Sequence, residues 1–201
     1  MIKNIIFDFG GVLVDWNPTH LYKKLFENEA DMADFLNTIC TSDWNEQQDE
    51  GRTLQEGTEV LVQSYPEKKE LIEAYYGRWE EMLAGSITGT VELLEALKRS
   101  GKYKLFGLTN WSAETFPIAL RRFDFFSFFD GILVSGAEGL RKPHQAFYQL
   151  LLDRYQLLAN ECLFIDDNKR NTDAATQFGI HSIVFENPRQ LKNELIYLHV
   201  L

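Results

Sequence analysis

The stretch IIFDFGGVL (Ile5–Leu13) runs from an apolar segment into an acid and then a pair of glycines. The apolar run starts at Ile2 and is near-continuous rather than alternating. Ile2–Phe7 therefore reads as a strand buried on both faces, the habit of parallel sheets. Asp8 closes the strand. In open α/β sheets ligands collect beyond the carboxyl ends of strands, so an acid there is a candidate site residue, though it is also an ordinary strand terminator. Gly10 and Gly11 let the backbone turn sharply and approach a ligand closely.

Working outward, four further runs have the same character: Tyr103–Leu108, Gly131–Val134, Cys162–Ile165 and His181–Phe185. From Thr88 onward they alternate with helical segments. Thr90–Ser100 stops at Gly101, His144–Gln156 begins after Pro143, and Asn171–Phe178 ends at Gly179. This alternation predicts an α/β fold, a doubly wound parallel sheet with a Rossmann-like core. The first strand breaks the rhythm. The long segment after it reads as helices, roughly Pro18–Asn28, Ala30–Cys40, Arg52–Ser64 and Glu67–Ala84, with no convincing strand. In the last, Leu71, Ile72, Tyr75, Trp79, Met82 and Leu83 form one apolar stripe. So much helix exceeds a crossover connection. The expectation is a helical cap subdomain, residues 16–87, inserted into a catalytic core of residues 1–15 and 88–201.

The 201 residues are 45% hydrophobic, enough for a real core. Thirty carboxylates face twenty Lys/Arg, a formal charge of −10. That balance argues against nucleic acid and against anionic membrane surfaces, and no stretch has the length of a membrane span. Cys40 and Cys162 are far apart and lack the spacing of a zinc site. A reducing, cytoplasmic setting is expected, with a monomer or dimer both open.

The expected strand ends carry Asp8, Thr109–Asn110, Ser135 and Asp166–Asp167, and the loop after Ser135 carries Arg141–Lys142–Pro143. Three carboxylates, a hydroxyl, an amide and a lysine should converge on one sheet edge. That set suits a hard cation and an anionic oxygen group. Singly, each has an ordinary explanation: Thr109 is β-branched and at home in a strand, Lys142 a solvated charge, and Asp166 and Asp167 helix caps. Their joint order is what resists that explanation.

With these residues in place, the chain resembles the haloacid dehalogenase-like superfamily of phosphotransferases. Its four motifs match IIFDFGGVL (Ile5–Leu13), GLTN (Gly107–Asn110), RKP (Arg141–Pro143) and FIDDN (Phe164–Asn168). The resemblance spans essentially the whole chain, with the helical insert where this branch carries its cap. It implies a phosphatase in which Asp8 is the nucleophile and Lys142 stabilises charge on Asp8 and the phosphoryl group. Gly10, Gly11, Thr109 and Asn110 would then cradle phosphate. Asp8, the Gly10 carbonyl, Asp166 and Asp167 would hold Mg²⁺. Phosphoryl transfer needs positioning and charge stabilisation more than covalent machinery, and Mg²⁺ favours one or two carboxylates with phosphate and water.

One position departs from the pattern. Most phosphatases of the family carry a second Asp two residues after the nucleophile, as acid and then base; here it is Gly10. A positioned acid or base contributes about 10²–10⁴ in rate, so the loss matters. Three readings compete. The first is a phosphatase for a small phosphorylated metabolite with a good leaving group, such as a sugar 1-phosphate, resembling sugar-phosphate phosphatases with this loop. The others are a metal-free 2-haloacid dehalogenase, and a pseudo-phosphatase that binds without turnover. Asp15, His20, Asp43 or Glu46 would assist from the cap side in the first reading. Trp16, Trp44, Gln47 and Arg52, with Asn45, are candidate substrate contacts. A solvated turn with Trp44 packed beneath is the equal alternative for Ser42–Arg52.

Overall fold

The computed structural model describes residues 1–201, and its centre is strand β1 (Asn4–Phe7). Two short strands follow in the chain, β2 (Val14–Trp16) and β3 (Leu83–Ser86). Then come β4 (Lys104–Thr109), β5 (Gly131–Val134), β6 (Cys162–Asp166) and β7 (His181–Val184). The main sheet has five strands in the order β5-β4-β1-β6-β7, all parallel. The order reverses at β1, because the chain first builds outward through β4 and β5 and then returns to the other side for β6 and β7. Asp8 follows β1 directly, at the crevice such a reversal opens.

Helices α1 (Pro18–Tyr22), α2 (Glu29–Thr38), α3 (Ser42–Asp49), α4 (Leu54–Ser64) and α5 (Lys69–Gly77) lie between β2 and β3. The core then supplies α6 (Thr88–Ser100), α7 (Phe116–Arg122), α8 (Ser135–Glu138), α9 (Gln145–Tyr155), α10 (Lys169–Gln177) and α11 (Pro188–Tyr197). Alternate residues along the strands face opposite sides. Ile6, Phe106 and Phe164 pack with Phe147 and Leu151 of α9 and Ala175 of α10. Ile5, Leu105 and Leu163 pack with Leu94 and Leu97 of α6 and Leu191 and Leu195 of α11. Both faces are therefore covered, which is why the strands read as unbroken apolar runs.

The sequence reading of the insert needs three corrections. First, β2 and β3 form an antiparallel ribbon pairing Val14 with Ser86 and Asp15 with Gly85, so the insert leaves and returns along one tether. Strands of three and four residues are too short to show a period. Second, the helix expected over Glu67–Ala84 stops at Gly77, and Trp79–Met82 forms a 3₁₀ turn that leads into β3. Glycine is a poor helix former, and both segments keep the apolar stripe inward. Third, Pro18–Asn28 is helical only to Tyr22, and Ser42–Asp49, expected as a polar turn, is a helix capped by the Thr41 side chain.

Phe9 shows how the core holds the site. Its ring is fully buried, stacks on Phe116 at 6.1 Å and meets Phe126 and Phe129 edge-on at 4.9 and 5.2 Å. A side chain at Gly107 on the neighbouring strand would collide with that ring. Its carbonyl accepts from the backbone N–H groups of Leu13 and Val14, both at 2.8 Å, which closes the turn after Asp8. Phe9→Ala should cost about 3–5 kcal/mol of stability, read from urea unfolding, with the loss of an aromatic anchor as its cause.

Candidate active site

Asp8 is placed by its own backbone N–H, which donates to Ile165 O at 2.9 Å and ties the end of β1 to β6. Its Oδ1 accepts from the Phe9 N–H at 2.7 Å and lies 2.9 Å from Lys142 Nζ. Both contacts fall on one oxygen, so Oδ2 is left to face the cavity. Lys142 is completely buried, an unusual place for an ammonium. Its Nζ also donates to Asp166 Oδ2 at 2.7 Å, so it bridges two carboxylates. Asn110 fixes the backbone beneath it from both sides: Oδ1 accepts from Lys142 N at 2.8 Å and Nδ2 donates to Lys142 O at 2.9 Å. Asn110 thus acts first as a clamp on the lysine segment.

Asp166 is also fully buried. Beyond Lys142 it accepts from Asn168 N at 2.8 Å and from Asn171 Nδ2 at 3.0 and 3.1 Å. Asp167 is the solvent-facing member of the pair. Carboxylate oxygens of Asp8, Asp166 and Asp167 lie within 4.8 Å of one another. A side chain on Gly11 would strike the Asp167 carboxylate, and Gly11 sits at φ +73°, so no other residue would serve there. Thr109 is buried at the same edge, and its hydroxyl has no hydrogen-bond partner.

Electrostatics define what this group can hold. Burial pushes the Asp8 carboxyl up, with Asp166 and Asp167 adding to the rise and Lys142 opposing it. Asp167 is raised by burial and by Asp166. Burial alone would lower Lys142, but Asp166 and Asp8 outweigh it and its net shift is upward. Three carboxylates against one ammonium leave two excess negative charges. A divalent cation fits that excess and the all-oxygen donor set.

The floor made by Asp8, Asn110, Lys142, Asp167 and Asn171 opens into a cavity of about 340 Å³. Its roof comes from the insert: Asn37, Asn45, Glu46, Asp49 and Tyr75, with Trp16 at the tether. Ion pairs hold the roof down. Arg141 Nη1 meets Glu46 at 2.8 Å and Arg141 Nε meets Glu50 at 3.1 Å, while Arg170 reaches Glu46 at 2.6 Å. The hydroxyl of Ser135 donates to the backbone oxygen of Asp49.

Several residues singled out in the sequence lie elsewhere. Trp44 is buried inside the insert, donates from Nε1 to Gly57 O at 3.0 Å and packs edge-on against Tyr75. Arg52 donates to Gln48 Oε1 at 2.6 Å, and exposed Gln47 bonds back to Asp43 O at 3.3 Å in its own helix. Asp15 and His20 pair with each other at 2.9 Å, the first exposed and the second half-buried, and both are outside the cavity lining. Trp16, Asn45 and Glu46 do line the cavity. Asp49 was missed. Helical spacing was the available signal, because Asn45 and Asp49 stand four apart on one face of α3.

The comparisons with known proteins agree with this geometry. The family profile of the haloacid dehalogenase-like hydrolases matches residues 2–179. The chain belongs to that family and is a hydrolase by it. It is 32% identical to a sesquiterpene phosphatase of Aspergillus oryzae, over 89% of this chain and 87% of the relative. It is 26% identical to a drimenol cyclase of Aspergillus calidoustus over 97% of this chain, which spans only 36% of that larger protein. Among solved structures, a HAD family enzyme of Bacteroides thetaiotaomicron in complex with magnesium and inorganic phosphate superposes with a TM-score of 0.69 at 22% identity. The superposition covers 93% of this chain and 96% of that one. At that identity the likeness speaks for the fold.

The lysine bridge makes a testable demand on stability. Lys142→Met leaves two buried carboxylates uncompensated and should cost about 3–5 kcal/mol at neutral pH. Without the opposing Lys142 charge, Asp8 would titrate still further above its unfolded value, so the folded state would bind more protons than the unfolded one as pH rises. The defect should therefore be larger at pH 8 than at pH 5 in urea titrations.

Proposed function

We propose that the protein is a Mg²⁺-dependent phosphatase that hydrolyses a small phosphorylated metabolite through an aspartyl-phosphate on Asp8. The observation that carries this reading is the buried Lys142 ammonium held between Asp8 and Asp166, beside Asp167 and the unpartnered Thr109 hydroxyl. Asp8 offers its free oxygen in line to phosphorus. Lys142 neutralises part of the charge on nucleophile and phosphoryl group. Thr109 supplies a hydroxyl with no competing partner, and the Gly10 backbone N–H is available to the phosphoryl oxygens, while the Gly11 N–H is taken by Val14 O at 2.9 Å. Asp8, the Gly10 carbonyl and Asp167 would hold the metal, with Asp166 positioning Lys142 and reaching the ion directly or through water. The ion when bound would offset repulsion between a carboxylate and a phosphate monoester.

The insert acts in this reading as a cap, residues 16–87, that closes over the non-phosphate part of the substrate. A sugar 1-phosphate is one member of the class that the cavity's Asn37 and Asn45 would suit, as hydrogen-bond partners for hydroxyls. A metal-free dehalogenase is the weaker reading, because two excess negative charges would only repel its anionic haloacid. No helix is long and apolar enough to cross a membrane, and both cysteines are free and buried, which supports the cytoplasm as the setting.

The test is phosphate release across a panel of phosphorylated metabolites. Activity should require Mg²⁺, vanish in EDTA and return on adding the ion, while Asp8→Asn should fall to background. Metal-independent turnover, or an active Asp8→Asn, would sink the reading. Thr109→Val gives a second, opposed signature. Removing an unpaired buried hydroxyl should leave stability unchanged or raise it by up to about 1–3 kcal/mol, while phosphate release drops.

A further inference from the structure

The missing side chain at Gly10 leaves a space, and the structure shows what faces it. A Cβ built on Gly10 would meet nothing within 4 Å. Gly10 lines a small pocket whose walls include Trp16, Asn110 and Ser112, and the one carboxylate in its lining is Asp49, from α3 of the insert. Asp49 also lines the larger cavity that contains Asp8 and Lys142. It therefore lines both the nucleophile's cavity and the pocket lined by Gly10, where the family's second acid would stand in the chain.

The other carboxylates of the larger cavity are already engaged. Asp8 and Asp167 belong to the nucleophile and metal set, and Glu46 is held by Arg141 and Arg170. Asp49 has a different environment. Its Oδ2 accepts from Asn45 Nδ2 at 2.9 Å, and it has no ion-pair partner. The groups facing it are Glu46 on its own helix, Arg141 and Lys142 from the segment before α9, Tyr75 and Tyr76 from α5, and Asp8 across the cavity. Burial, then the charge of Glu46, pushes its carboxyl up to about 7, while Ser112 N–H, Arg141 and Lys142 pull the other way. A carboxyl poised there can give and take a proton at neutral pH.

We infer that Asp49 is the acid and base of the reaction, supplied from the insert in place of the residue absent at position 10. The assignment rests on the phosphatase reading above. In the first step Asp8 attacks phosphorus, the ester P–O bond breaks, and the leaving oxygen keeps the electron pair and takes the Asp49 proton. In the second, the Asp49 carboxylate takes a proton from water, whose oxygen attacks the aspartyl-phosphate. The P–O bond to Asp8 breaks, and inorganic phosphate, free Asp8 and protonated Asp49 result. Because Asp49 travels with the insert, the acid would reach the leaving group only when the insert sits over the core. Its backbone tie to Ser135 and the Arg141 ion pairs with its own helix hold it in that position.

The experiment compares two esters of nearly one shape, p-nitrophenyl phosphate and phenyl phosphate. The phenolate of the second leaves, like a tyrosine side chain, as a base of pKa about 10, so it needs a proton, whereas the nitro group delocalises the charge of the first. With Asp49→Asn, kcat/KM for phenyl phosphate should fall about 10²-fold or more and the rate of the p-nitrophenolate burst should change by no more than about threefold. Asp49→Glu should restore much of the phenyl phosphate rate. In the wild type, kcat/KM for phenyl phosphate should decline as pH rises through about 7, a limb missing with p-nitrophenyl phosphate. That limb decides the matter even if the Asn variant folds poorly. Equal slowing of both esters by Asp49→Asn, slowing of neither, or the same wild-type limb with both would overturn the assignment. An active Asp8→Asn would instead overturn the phosphatase reading itself, so the two failures are distinguishable.

Discussion

A lysine ammonium with no solvent exposure is the constraint around which the site is built. Taking that charge out of water costs several kcal/mol, which is tolerable only because Asp8 and Asp166 lie 2.9 and 2.7 Å from it. Asp166 is in turn held by Asn171 and the Asn168 N–H, and the lysine backbone is clamped by Asn110. Each partner comes from a different strand end: Asp8 from β1, Asn110 from β4, Asp166 from β6. The ion bridge therefore depends on the register of the central strands, and the nucleophile's position depends on the bridge.

The same arrangement explains a tension between stability and function. A buried threonine hydroxyl without a partner and an excess of carboxylates each cost folding free energy. They are concentrated at one edge of the sheet. The cost is carried by a core with both faces covered, in which Phe9 anchors the turn after Asp8 among three other phenylalanines. Local features that oppose folding mark the place where a ligand would relieve them.

Gly10 takes on a different meaning once α3 is seen. In the chain it is the absence of an acid, which confines the chemistry to leaving groups that depart unaided. In the fold it is an open position in a pocket that a carboxylate on a different segment also lines. Closure of the insert and proton delivery then become one event rather than two. The leaving group need not be an activated one, and the substrate range implied by the loop alone widens.

The five core strands, the Asp8, Thr109, Lys142 and Asp166–Asp167 positions and the existence of a helical insert were legible in the sequence, whereas the spatial order of the strands was not. All of them rest on local pattern: apolar runs of strand length, turn glycines, and polar residues where each run stops. The reading was poorer where local pattern is weak. The Ser42–Asp49 helix is polar throughout most of its length, so its periodicity was hidden, and with it the face shared by Asn45 and Asp49. Trp44, open in the sequence between a substrate contact and a packed residue, is core to the insert because an indole on a helix packs wherever its neighbours leave apolar room. By itself the chain determined the fold, the family and the residues along the sheet edge, since each is encoded within a few neighbouring positions. Only the tertiary structure decided that Lys142 is buried between two acids and that Asp49 lines the same pocket as Gly10. Those contacts join segments 24 to 134 residues apart, and only packing can bring them together.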